Sequence, residues 1–112
     1  MLRLLVCVSG GGTNLAAVMD AIESGSITNA KIVGVISNNR NAYALKRAQE
    51  RGIDAVCISP KDYEDRAAFN SAFLERVKAY EPDLIVLAGF TCILGEMVTS
   101  NYKRRIINIH PS

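Results

Sequence analysis

The feature that most constrains this chain is an alternation of two periods. Short, nearly continuous apolar runs, as a strand buried on both faces would show, take turns with segments whose apolar residues recur at helical spacing. Leu2 to Ser9 is the first such run, and it stops at glycines. Beyond it, Leu15, Val18, Met19 and Ile22 fall at i, i+3, i+4 and i+7, one face of a helix. Gly25 ends that helix, and Lys31 to Ser37 reads as a second strand. Asn38-Asn39-Arg40-Asn41 is turn chemistry. Ala42 to Arg51 reads as a helix with Gly52 at its C-terminal end. Ala55 to Ile58 is a short third strand, and Ser59-Pro60 breaks the chain. Arg66 to Tyr80 carries Phe69, Ala72, Phe73, Val77 and Tyr80 on a helical pattern that stops at Pro82. Leu84 to Ala88 is a buried strand, a short helix fits between Gly95 and Asn101, and Ile106 to His110 is a fifth strand.

Strands separated by helices imply βαβ units, right-handed crossovers and a parallel sheet. The expected fold class is α/β, a Rossmann-like parallel sheet with helices on both faces, in a single domain over 1–112. A parallel strand needs cover on both faces, and only two residues follow His110. The expectation is therefore the amino-terminal part of one domain, truncated after its fifth strand.

Composition narrows the function. Of 112 residues, 49% are apolar, enough to form a core and to exclude disorder. A net charge of +2 argues against a nucleic-acid or anionic-membrane partner, which would show a basic stripe. The longest apolar runs, such as Leu4 to Val8, fall far short of the ~20 residues of a membrane-spanning helix, and no leader pattern precedes the glycines. Cys7, Cys57 and Cys92 are widely spaced, no C-x-x-C occurs, and His110 is the sole histidine. No metal site is expected. Free thiols and a cytoplasmic location are the expectation, with Cys7 and Cys57 buried in their strands.

Ser9-Gly10-Gly11-Gly12-Thr13-Asn14-Leu15 joins the first strand to the first helix. Glycines allow a tight turn and close backbone approach, and N–H groups at a helix start favour an anion. Thr13 or Asn14 could cap the helix and also meet a phosphate oxygen. Leu15 stands where G-x-G-x-x-G needs glycine, and no Gly-Lys-Ser/Thr follows, so dinucleotide and ATP sites are not supported. A plain strand-to-helix turn and a phosphate cradle both fit the spacing.

At the other end, Asn108 and His110 share one face of the fifth strand, with Ile109 on the opposite face. The carboxyl end of a parallel strand is where ligands bind. Asparagine can donate to a developing oxyanion, and histidine can move a proton near neutral pH. A surface histidine beside a strand end is the plainer alternative. Between these segments, Leu87-Ala88-Gly89-Phe90 with Ile93 and Leu94 could line an apolar slot or simply pack in the core.

Together, in order and spacing, these three segments resemble the folate-dependent formyltransferase family, over the whole chain but about half of the family's domain. The resemblance implies a Rossmann-like sheet that moves a formyl group from 10-formyltetrahydrofolate to the amine of glycinamide ribonucleotide. Gly12, Thr13 and Asn14 would hold the ribonucleotide phosphate. Thr91, Cys92, Ile93 and Leu94 would line the folate pocket, with Arg66 and Asn108 also meeting the folate. His110 and Asn108 would polarise the formyl oxygen and stabilise the tetrahedral intermediate. No metal is required. The substrate amine is the nucleophile, so no serine or cysteine nucleophile is needed. The family usually has arginine where this chain has Cys92, and its catalytic aspartate lies beyond Ser112. The chain by itself is expected to be inactive. Sister activities in the family, formylation of a charged tRNA or hydrolysis of the formyl folate, share much of this logic. The glycine loop favours the ribonucleotide, and Lys103-Arg104-Arg105 reads as a solvated helix end. A non-catalytic module that binds a phosphorylated metabolite is the alternative from another class.

Overall fold

The computed structural model describes residues 1–10, 13–88, 90 and 96–109, with residues 13, 14, 96–98 and 109 described by their backbone only. Strands β1 (Leu2–Val8), β2 (Ala30–Ser37), β3 (Ala55–Cys57), β4 (Leu84–Ala88) and β5 (Ile106–Ile109) alternate with helices α1 (Thr13–Glu23), α2 (Tyr43–Glu50), α3 (Arg66–Tyr80) and α4 (Glu96–Asn101). All pairings are parallel, in the order β3-β2-β1-β4-β5. The first strand of the chain is thus the middle of the sheet. The order reverses between β1 and β4, so connections leave these two strands in opposite directions.

The sheet separates two apolar layers. On one face Leu5, Cys7, Ile36 and Ile85 pack against Phe69, Phe73, Leu74 and Val77 of α3. On the other, Val6, Val8, Val35 and Val86 pack against Leu15 and Met19 of α1 and Ala44 and Ala48 of α2. Helices therefore cover both faces, as the continuous apolar strands require. Each fully buried Phe, Leu, Ile or Val contributes about 1.5–3 kcal/mol relative to exposure. Cover is uneven at β5, where Ile107 remains 46% exposed. It pairs with Val86 and so belongs to the α1–α2 face.

Local chemistry sets the element ends. The Asp65 carboxylate accepts from the Ala68 N–H at 2.8 Å and caps α3. Glu81, left-handed at φ 50°, ends that helix ahead of Pro82. Gly52, at φ +73°, follows α2 in the conformation that favours glycine. The third strand is shorter than the apolar pattern suggests. It ends at Cys57, because the Ser59 hydroxyl, accepting from the Lys61 N–H at 3.3 Å, opens a 3₁₀ turn over Pro60–Asp62. Cys7 is buried as expected, but Cys57 is only half-buried, since β3 is the edge of the sheet.

Residues at the amino ends of the strands lock together. Arg3 donates to the Tyr80 carbonyl at 2.6 Å and, through Nε, to the Glu81 carbonyl at 2.8 Å. Its backbone N–H donates to Asp83 at 2.9 Å. The Tyr80 hydroxyl donates to Asp54 at 2.6 Å. The register of β1 on β2 shifts between Leu4 and Leu5, so that Leu5 faces Gly34. A Cβ at Gly34 would lie 2.5 Å from the Tyr80 ring. Glycine is required there by that close approach.

Candidate functional site

Because every strand is parallel, the loops that leave β1, β2, β3, β4 and β5 share one rim of the sheet. The order reverses between β1 and β4, and that point of the rim is the usual ligand position in such sheets. Ser9 and Gly10 carry the chain out of β1 on one side of it. Phe90 follows β4 on the other. Register fixes the level of Asn108: Cys7 pairs with Leu87, and Leu87 with Asn108. With strands ~4.8 Å apart, Asn108 is ~10 Å from Cys7 along one row. Paired residues of a parallel ladder share a face, so Asn108 belongs to the α3 face, and it is exposed.

The turn after β2 is tied to the start of the glycine loop. Asn38 N–H donates to the Val8 carbonyl and Ala44 N–H to the Gly10 carbonyl, both at 3.4 Å. The Asn39 side-chain amide donates to the Ser9 carbonyl at 3.4 Å. Within the turn, the fully buried Ser37 hydroxyl donates to the Asn39 carbonyl and accepts from the Asn39 N–H, both at 3.0 Å. Asn39 Oδ1 accepts from the Asn41 N–H at 3.1 Å.

Beside this turn an open polar cleft of about 470 Å³ is lined by Ser9, Asn38, Asn39, Arg40, Ser59 and Asp62, among others. Arg40 donates to both oxygens of Asp62, at 2.8 and 2.9 Å. Both side chains are well exposed, so the pair contributes little to stability. Its hydrogen bonds and charge raise the Arg40 pKa. Burial pushes the neighbouring Cys57 thiol up as well, with the Arg40 charge opposing it. The cleft lies toward β2 and β3, on the opposite side of β1 from Asn108. Among the described residues, no group of three or more His, Cys, Asp or Glu is placed to hold a metal ion. No described helix is long and apolar enough to cross a membrane.

The sequence profile of the formyl transferase family matches residues 2–112. The chain belongs to the formyl transferase family. Phosphoribosylglycinamide formyltransferase of Haemophilus influenzae is 39% identical over 112 residues, covering 100% of this chain and 52% of the relative. The solved phosphoribosylglycinamide formyltransferase of Coxiella burnetii superposes with a TM-score of 0.92 at 44% identity, over 98% of this chain and 51% of that one. Glycinamide ribonucleotide transformylase 1 of Symbiobacterium toebii gives a TM-score of 0.91 at 40% identity, over 99% and 52%. The chain thus spans about half the length of the curated relatives it matches.

The sequence-derived residues divide into those the structure describes and those outside the described residues. Thr13 and Asn14 are the first two residues of α1, inside the helix rather than flanking it, and open it on the carboxyl rim. Arg66 opens α3 on the same rim, exposed, its guanidinium 5.5 Å from the centre of the Phe69 ring. From there a chain of rings runs inward, Phe69 to Phe73 at 5.9 Å and Phe73 to Phe90 at 5.8 Å. Phe90 packs on the α3 core, which favours core packing over an apolar slot for this residue. Gly12, Thr91, Cys92, Ile93, Leu94 and His110 lie outside the described residues. The Asn39 network was not anticipated beyond a turn. Its one sequence signal is an asparagine-rich run immediately after a strand that neighbours the glycine loop.

Proposed function

We propose that this chain carries the phosphate-binding and formyl-activating residues of a phosphoribosylglycinamide formyl transfer from 10-formyltetrahydrofolate. The observation that carries this reading is the arrangement of the carboxyl rim. The glycine loop leaves β1 on one side of the order reversal, and Asn108 stands two strands away on β5. A phosphorylated ribose bearing a glycinamide arm bridges ~10 Å, two strand spacings. Gly12, Thr13 and Asn14 hold its phosphate at the start of α1. Residues 91–94, with Arg66 and Asn108, hold the folate; no metal takes part.

The chemistry follows from those residue types. The substrate amine attacks the formyl carbon, its nitrogen forms the new C–N bond, and the carbonyl oxygen gains negative charge. Asn108 donates an amide N–H to that oxygen, and His110 donates a second hydrogen bond or a proton. The tetrahedral intermediate collapses with cleavage of the bond to the folate nitrogen, which leaves with a proton, while the attacking nitrogen loses one. In the family an aspartate beyond the matched segment assists, and part of the ribonucleotide site lies there as well. The basic run 103–105 precedes β5 and lies on the opposite rim, which favours a ribonucleotide over a tRNA substrate.

A chimera completes the test: this chain continued by the portion of the Haemophilus influenzae enzyme beyond the matched segment. It should transfer formyl groups, and His110→Ala or Asn108→Ala should lower kcat by ~10²–10³ with KM little changed. Near-normal turnover by the His110→Ala chimera would make the histidine structural. Gly12→Val in the chimera should weaken glycinamide ribonucleotide binding about tenfold or more, about 1.4 kcal/mol. Equal affinity in a folded variant would remove the phosphate role of the loop.

A further inference from the structure

We infer that Asn39 is a positioning residue for the start of the glycine loop, setting the direction in which the Ser9 and Gly10 backbone N–H groups face. The inference rests on the phosphate reading given above.

Three successive carbonyls at the exit of β1 turn the same way. Val8, Ser9 and Gly10 each accept a hydrogen bond from the segment that leaves β2, donated by Asn38 N–H, the Asn39 side-chain amide and Ala44 N–H. A regular strand would alternate its carbonyls between neighbours. Each peptide is planar and trans, so its N–H points opposite to its carbonyl. With the Ser9 carbonyl aimed at Asn39 on the β2 side, the Gly10 N–H aims at the β4 side, toward the order reversal. The Ser9 and Gly10 N–H groups thus turn to one side, as in backbone concavities that suit an anion.

All three bonds are 3.4 Å long, at the weak end of the hydrogen-bond range, so none holds the loop alone. Asn39 supplies the only side chain among them, and it arrives already oriented. Its backbone N–H and carbonyl are both held by Ser37, a hydroxyl fixed in the core. Its Oδ1 is occupied by the Asn41 N–H, which leaves Nδ2 to reach Ser9. The amide thus reads two neighbours at once, and the loop inherits its orientation from the buried end of β2.

Asn39→Asp keeps the acceptor for Asn41 and removes the donor to Ser9, and Asn39→Ala removes both. Calorimetric titration of the chimera described above with glycinamide ribonucleotide and with inorganic phosphate should show both variants weakened about three- to tenfold. The loss in Asn39→Asp should persist at high salt, where mere repulsion between carboxylate and phosphate would be screened. Amide hydrogen exchange at Ala44, which donates to the Gly10 carbonyl, should accelerate while that of Leu5 and Val6 stays slow. Unchanged affinity in both variants, with the unsubstituted chimera still binding, overturns the positioning role and leaves the phosphate reading standing. Failure of the unsubstituted chimera to bind either probe overturns the phosphate reading and this inference with it. Should Asn39→Ala not fold, Asn39→Asp alone decides.

Discussion

The two rims of this sheet are built differently. At the amino rim, bonds are short and cross-link distant parts of the chain: Arg3 to the end of α3, Arg3 to Asp83, Tyr80 to Asp54, all between 2.6 and 2.9 Å. At the carboxyl rim, the corresponding ties around the glycine loop are 3.4 Å, and a polar cleft stands open beside them. The contrast divides the molecule by rim. The amino rim fixes the strands in place with short bonds between distant parts of the chain. At the carboxyl rim the ties on the glycine loop itself are the longer ones.

Substitutions at each rim test that division. The largest effect is expected from Gly34→Val, which drives a side chain into the Tyr80 ring. A loss of about 3 kcal/mol should appear as a lower urea midpoint. Arg3→Ala removes two bonds donated by a charged group and should cost about 2 kcal/mol, with ribonucleotide affinity of the folded fraction unchanged. A matching loss of affinity in either variant would show the rims to be coupled and break the comparison. Tyr80→Phe deletes the bond to Asp54 and should cost about 1 kcal/mol at neutral pH. Burial first, then the hydrogen bond and charge of Asp54, hold the Tyr80 hydroxyl at about 12 instead of the ordinary 10. The native state therefore keeps this proton where the unfolded chain has lost it. Its contribution is complete below about pH 10 and is lost as pH rises toward about 12. The variant should show a flatter fall in stability across that window, and an identical fall would remove Tyr80 as its source. The smallest effect belongs to the carboxyl rim: Arg40→Ala should change stability by less than about 0.5 kcal/mol. A loss several times larger would mean that the exposed Arg40–Asp62 pair braces the cleft.

Much of the fold was legible because local rules and tertiary demands agree. The third helix spans Arg66–Tyr80 as read, since Asp65 caps it and Pro82 forbids its continuation. β4 also matches its apolar run. The strand order was not legible. Periodicity reveals that strands are parallel, but nothing within β3 states that it lies at an edge, and so Cys57 was placed too deep. Gly34 inside an apolar strand was a sign of a close approach, but only the packed Tyr80 ring shows to what. For the site, parallel strands imply one carboxyl rim for the glycine loop and Asn108, and only the family resemblance grouped them. Asn39 was not among them, because turn chemistry tells that the chain reverses and not which foreign carbonyl the side chain will meet.

The central place of β1 also bears on how the chain is made. During synthesis β1 acquires β2 about 30 residues later, yet its other edge waits for β4, with Leu4 paired to Leu84. At roughly 5–20 residues per second, that interval is roughly 4–16 s of synthesis. Throughout it, a strand as apolar as Leu-Leu-Val-Cys-Val presents an unpaired edge, the kind of template on which nascent chains associate with one another. Substitutions that slow the pairing of β4 would therefore reduce the soluble yield of the newborn chain before they lower the stability of the finished one.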